Sequence, residues 1–278
     1  MQILQAAITG TIQGLSEFLP ISSSAHIVFS NKLYEIIVGC TNVDIQEEIF
    51  FGIIVHLATL FAVLIYFFND IKEIFTDFFV SIKNKNYENK NFKLVNYVII
   101  TTIITGLVGI LLKEIVEKTM CNPKVMCVLL FITGLILLFS EKMYKGNKNN
   151  NLKTTILIAL AQGLAIFPGF SRSGLTISTA LFCGMQRIEA ARFSFLISIP
   201  IILLASLIYP LFELDFLAIS NFNHKAMLVG FFTSFVVGYF CIKCFMKLLA
   251  RLSLKTFGYY CLVVAVVMFV LFQACCHQ

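Results

Sequence analysis

The chain has 278 residues, 59% of them hydrophobic and 13% charged, and its mean hydropathy is +0.89. A soluble domain cannot hide that much apolar surface, so a soluble globular enzyme is excluded and the bilayer is the expected solvent. The formal charge of +6 comes from lysines gathered in short polar segments between apolar runs, which is a topology signal and argues against a nucleic-acid surface.

The first apolar region, 2–38, consists of two short halves separated by a polar knot running from Ser16 to His26 with Pro20 at its centre. Full-length apolar windows follow at about 48–68, 94–113 and 123–140. A second broken region, 152–185, surrounds the knot Pro168 to Gly174, and three more windows follow at about 188–210, 225–247 and 255–274. Polar backbone at membrane depth is tolerated only where protein or a water-filled cavity covers it, so each broken region is expected to be a re-entrant helical hairpin. The expected fold is therefore an all-α polytopic membrane protein with six transmembrane helices and two re-entrant hairpins. Cys127, Cys183, Cys241, Cys244 and Cys261 lie in apolar runs at no metal-ligand spacing and read as small apolar fillers.

The layout contains an internal repeat within a single membrane domain, 1–278. Gln13-Gly14-Leu15 recurs as Gln162-Gly163-Leu164, and each copy leads to a proline and a serine-rich turn. The halves 1–140 and 150–275 each hold one hairpin and three crossings, an odd number, so the second half is expected to be inverted relative to the first. One hairpin then enters from each side, and the tips meet near the midplane, as around the binding sites of many transporters. The basic residues, among them Lys72, Lys83, Lys145, Arg187 and Arg251, gather on one face, against Lys32, Lys113, Lys118, Lys124 and Lys225 on the other. The heavier face is expected to be cytoplasmic, with both termini outside.

Glu17, His26 and Arg172 are ionisable groups lodged in the knots, and each costs at least about 2.5 kcal/mol at membrane depth, so each requires a reason to be there. Ser22 to Ser24 and Ser171 to Ser173 are natural caps for the helices that resume after each proline. Free N–H groups at two converging helix starts, with the Arg172 guanidinium, suit a polyanion. Ser22 and Ser23 precede His26 by four and three residues, which puts a hydroxyl and an imidazole on one face. Glu17 can hold a divalent cation, orient His26 or handle a proton. Because Glu17 and Arg172 cancel in charge, a bound pyrophosphate calls for Mg²⁺ or Ca²⁺ as counter-charge. Outside the knots, His56 in mid-span reads as an interhelical hydrogen-bonding residue, Glu189 and Arg192 read as a pair on one helix, and Lys243 reads as snorkelling.

The run Gln13-Gly14-Leu15-Ser16-Glu17-Phe18-Leu19-Pro20-Ile21-Ser22-Ser23-Ser24-Ala25-His26 resembles the first signature of the undecaprenyl-pyrophosphate phosphatases, the bacitracin-resistance family. Pro168-Gly169-Phe170-Ser171-Arg172-Ser173-Gly174 resembles the second, and the likeness extends through Phe193 to Leu196, Pro200 and the basic end of the fifth span. The resemblance implies an inner-membrane hydrolase that converts undecaprenyl pyrophosphate to the monophosphate, recycles the carrier of wall synthesis and confers bacitracin resistance. It places the catalytic roles on Glu17, Ser23, His26 and Arg172, with Ser23, His26 or water as the attacking group. The phosphate-binding set is expected to comprise Ser22, Ser24, Ser171, Ser173, Gly174 and Gln13, and Glu17 is the expected metal ligand. The resemblance further implies a divalent-cation requirement and a site that opens to the outer face, and the reading admits a homodimer. Gln13 departs from the pattern, since many members carry glutamate there, and this puts more of the load on Glu17. The competing reading is a polyprenyl-phosphate transporter or flippase, built from the same broken helices.

Overall fold

The computed structural model describes residues 1–38, 45–120, 122–213, 222–249 and 251–275. Eleven α-helices and no β-strand occur among them: α1 (Ile3–Ser16), α2 (Ser23–Val38), α3 (Ile45–Tyr66), α4 (Phe68–Lys83), α5 (Lys90–Met120), α6 (Pro123–Met143), α7 (Leu152–Leu164), α8 (Arg172–Phe182), α9 (Arg187–Glu213), α10 (His224–Leu249) and α11 (Lys255–Cys275). Helices α3, α5, α6, α9, α10 and α11 are long and apolar enough to cross a membrane, in agreement with the six windows read from the sequence. Asparagine caps set several starts. Asn122 accepts from the backbone N–H of Lys124 and Val125 ahead of α6, with Pro123 at its first position, and Asn151 accepts from the Thr154 N–H at α7.

Two features were not foreseen. The segment after the first span, expected as a polar connection, forms the amphipathic helix α4, whose Phe68, Phe75, Phe79 and Ile82 stay exposed along one stripe. Helix α5 begins at Lys90 rather than near 94, because Asn89 accepts from the N–H groups of Asn91 and Phe92 and so nucleates the turn earlier.

Close helix approaches depend on residues without bulk. A Cβ on Gly10 would fall 2.3 Å from Thr233 Oγ1, and one on Gly14 would fall 2.7 Å from the Ser234 carbonyl oxygen. Helix α1 therefore lies directly on α10, with Gly10 and Gly14 spaced four apart as membrane helix interfaces favour. In the second half, a Cβ on Gly163 of α7 would meet Val108 of α5 at 2.6 Å. The first arm of each broken region thus packs on the middle long helix of the opposite half.

Polar anchors close the ends. Glu141 at the end of α6 takes two bonds from Arg187 (3.0 and 2.6 Å) and a third from the Leu254 N–H (2.9 Å), while Tyr144 covers the guanidinium at 4.1 Å. Arg192 lies 2.9 Å from Asp70 of α4, so it pairs across helices instead of with Glu189 one turn away. Lys243 is exposed, while Cys127, Cys241 and Cys261 are buried thiols in the core.

Candidate functional site

The two knots meet. In the first, α1 stops at Ser16, the chain turns through Pro20, and Ser22 adopts φ +70°, a left-handed conformation that non-glycine residues seldom hold and that clusters at functional sites. Ser22 Oγ accepts from the Ala25 N–H (3.4 Å) at the start of α2. In the second, Gly169 turns at φ +109° against Met126, where a Cβ would come within 2.6 Å of a carbonyl oxygen, so no side chain fits. Ser171 caps α8 by accepting from the Gly174 N–H at 3.0 Å, and its own N–H donates to Thr133 Oγ1 of α6 at 3.3 Å.

Three bonds tie one knot to the other. The Gly169 N–H donates to Ser24 Oγ (3.2 Å), Ser173 Oγ donates to the Leu19 carbonyl (3.0 Å), and Arg172 Nη2 donates to Glu17 Oε1 (2.7 Å). Phe18, fully buried beside Glu17, stacks edge-on against Phe195 of α9 at 5.6 Å, an arrangement worth about 1 kcal/mol beyond burial. The junction is thus held both by hydrogen bonds and by aromatic packing.

Glu17 is the hub. Its side chain is only 6% exposed, and besides Arg172 it accepts from Ser23 Oγ (2.9 Å) and Gln13 Nε2 (3.0 Å), both on Oε2. Two polar atoms at this hub are buried and lack a partner: Gln13 Oε1 and Arg172 Nη1. An acceptor and a cationic donor left open on two side chains that share the Glu17 carboxylate are what a bound cation and a phosphate oxygen would satisfy.

His26 is placed differently from its spacing. Its Nδ1–H donates to the Ser22 backbone carbonyl (2.8 Å), because the ring folds back one turn onto a carbonyl at the helix start. Its Nε2 bonds the Tyr260 hydroxyl (2.8 Å), with the two rings stacked at 10°. The serine hydroxyl that meets a base is Ser23, and the base it meets is Glu17.

His56 corrects its sequence reading. Its Nδ1 bonds the Gly52 carbonyl within its own helix (2.8 Å), while its Nε2 lies 3.8 Å from Glu17 Oε2 beyond the end of α1, so it faces the hub's carboxylate at a distance too long for the expected interhelical hydrogen bond. An ionisable residue in mid-span was a sufficient signal for a site residue. Tyr260 gave no such signal, since only the fold brings α11 to the first knot.

A hard divalent cation prefers oxygen ligands, and Glu17, the open Gln13 Oε1 and Ser23 Oγ provide them. No cluster of three His, Cys, Asp or Glu residues occurs among the described residues, so most of the coordination sphere would have to come from substrate and water. Within that limit the residues fit Mg²⁺ or Ca²⁺.

The chain is similar to known proteins over nearly its whole length. Residues 6–267 match the family described as Bacitracin resistance protein BacA. An undecaprenyl-diphosphatase of Methanobrevibacter smithii is 39% identical, covering 97% of both chains. Undecaprenyl-diphosphatase 2 of Halalkalibacterium halodurans is 37% identical over 98% of this chain and 97% of its own. An undecaprenyl-diphosphatase of Treponema denticola is 37% identical over 94% of each.

Proposed function

Because the chain belongs to the bacitracin resistance protein BacA family, we propose that it is a membrane phosphatase that hydrolyses undecaprenyl pyrophosphate to undecaprenyl phosphate and inorganic phosphate. The observation that carries the reading is the junction of the knots, where the Glu17 carboxylate holds both the Ser23 hydroxyl and the Arg172 guanidinium, and one guanidinium nitrogen remains open.

The chemistry follows from those contacts. The diphosphate head group lies against Arg172 Nη1 and the starts of α2 and α8, whose N–H groups carry the positive end of the helix dipole. Glu17 takes the Ser23 proton as Ser23 Oγ attacks the terminal phosphorus in line, and the lipid monophosphate leaves. Glu17 passes that proton to the departing lipid phosphate, then takes one from the water that attacks the serine phosphate and returns it to Ser23 Oγ as inorganic phosphate leaves. Arg172 neutralises charge on the equatorial oxygens, a contribution that is large in a dry site. His56 stands beside the same carboxylate, with Nε2 3.8 Å from Glu17 Oε2. Glu17 and Gln13 would hold a divalent cation, which would supply further charge neutralisation for the diphosphate.

The site is read as opening to the outer face of the inner, or plasma, membrane, with the lysine-rich end in the cytoplasm. The exchange of first arms between halves, α1 onto α10 and α7 onto α5, supports an inverted repeat built on two re-entrant hairpins. The same exchange favours a second reading, in which the fold also moves the lipid phosphate across the bilayer. Phosphate release from farnesyl and undecaprenyl pyrophosphate by purified protein in detergent, with and without EDTA, tests the first reading. Release without any membrane gradient is the expected result, and no release from either substrate would overturn it. Activity that appears only in sealed vesicles would favour transport.

A further inference from the structure

A cavity of about 360 Å³ lies apart from the knots, between the first turns of α5 and α9. Its lining falls at i, i+3, i+4 and i+7 on both helices, starting from Lys90 on α5 and Glu189 on α9, so one face of each helix forms a wall. Both helices begin at this end, and four lysine or arginine side chains, Lys90, Lys93, Lys148 and Arg192, surround the mouth. Leu94 and Leu196 line the walls farther along the helices, about 6 to 10 Å in from the first lining residues. The cavity is therefore graded from cationic to apolar along the direction in which the helices run.

Two of the four cations are already engaged, Lys93 by Glu88 and Arg192 by Asp70 at 2.9 Å. Lys90 and Lys148 make no ion pair among the described residues, and Asn150 Nδ2, also in the lining, is a buried donor without a partner. Lys148 is held in place from outside. Its backbone N–H donates to the Gly184 carbonyl (2.9 Å), and its side chain runs over Gly184, which turns at φ +92°. One carboxylate, Glu189, faces the same space and is outnumbered.

We propose that this cavity is a second anion site that takes a terminal phosphate, either the head of a lipid phosphate whose chain leaves along Leu94 and Leu196, or inorganic phosphate. Two uncommitted lysines and an open amide donor match the charge and acceptor oxygens of a phosphate dianion, and the volume is in the range of small-ligand sites. The choice of phosphate among anions rests on the reading of the first site, both of whose products end in phosphate.

The test is native mass spectrometry of the full chain in detergent, with undecaprenyl phosphate and inorganic phosphate as probes. Arg172→Ala quiets the first site, and that protein is expected to keep one bound lipid phosphate. Adding Lys90→Gln and Lys148→Gln should raise its half-saturating concentration about tenfold, whereas Lys90→Arg with Lys148→Arg should preserve binding. Displacement of the lipid by millimolar inorganic phosphate assigns the site to the free ion, and persistence of the lipid assigns it to a lipid head group. In the otherwise native chain, the Lys→Gln pair should still hydrolyse diphosphate, which reports its folding separately; should that turnover fall, Lys148→Gln alone is measured in the same way. Lipid binding unchanged by loss of both lysines, or of Lys148 where the pair does not fold, overturns the proposal even if the hydrolase reading stands.

Discussion

The Ser23 hydroxyl donates to Glu17 Oε2 at 2.9 Å, while the His26 imidazole on the same helix is occupied by the Ser22 carbonyl and the Tyr260 hydroxyl. Nucleophile and base are therefore paired across the break between α1 and α2, not along one turn of α2. Ser23→Ala and Glu17→Gln should each lower kcat by about 10² to 10⁴, and the double variant should be no worse than the poorer single one, because residues acting as a unit are not additive. Steady-state rates of phosphate release decide this. A Ser23→Ala enzyme near the native rate would transfer the attack to water or His26.

Arg172 uses one terminal nitrogen on Glu17 and keeps the other free in a buried setting. Lysine retains the charge but cannot reach both partners at once from a rigid fork. Arg172→Lys is therefore expected to fold normally and to lose about 10² in kcat/KM, a value in line with removing one preorganised donor from a site of charge development. Rates measured beside a thermal unfolding curve separate the two effects.

Gln13 donates to Glu17 through Nε2 and leaves Oε1 open, so a cation shared by the two residues meets one formal charge. Gln13→Glu replaces the amide donor with a second carboxylate, which repels Glu17 unless a cation bridges them. The variant should be less active than the native chain in EDTA and should need about tenfold less Mg²⁺ for half-maximal rate. Metal titration of phosphate release measures both. Equal Mg²⁺ dependence in the two proteins would remove Gln13 from the metal site.

The six crossings were legible because a window of about 20 apolar residues has few other fates, and the knots were legible because Pro20, Pro168 and the serines interrupt those windows where polar backbone is costly. The meeting of Glu17 with Arg172 followed from the two opposed hairpins, whose tips were expected to converge near the midplane. His26 could not be placed by spacing, because the choice between a neighbouring hydroxyl and a backbone carbonyl depends on the φ of +70° at Ser22. Helix α4 was missed because its mixed pattern, with Asp70, Lys72, Glu73 and Asp77 among phenylalanines, resembles a polar connection until its period of 3.6 is followed. The role of Gly10 and Gly14 depended on knowing that α10 lies against α1, a pairing of segments more than 200 residues apart.

Removing half of the Glu141–Arg187 pair tests how far the fold rests on a single buried anchor. Glu141 is 2% exposed in its side chain and also holds the Leu254 N–H at the start of α11, so losing Arg187 strands a buried carboxylate, and losing Glu141 strands both donors. Arg187→Ala and Glu141→Ala should each destabilise the protein by about 3 to 5 kcal/mol. Gly52→Ala, where an added Cβ meets nothing within 4 Å, should be neutral or stabilise the helix by up to about 1 kcal/mol and serves as the control. Gly14→Ala should cost about 1 to 3 kcal/mol by pushing α1 off the Ser234 carbonyl. Thermal unfolding in one detergent ranks the four variants, and an Arg187→Ala midpoint equal to that of Gly52→Ala would show that the anchor contributes no net stability.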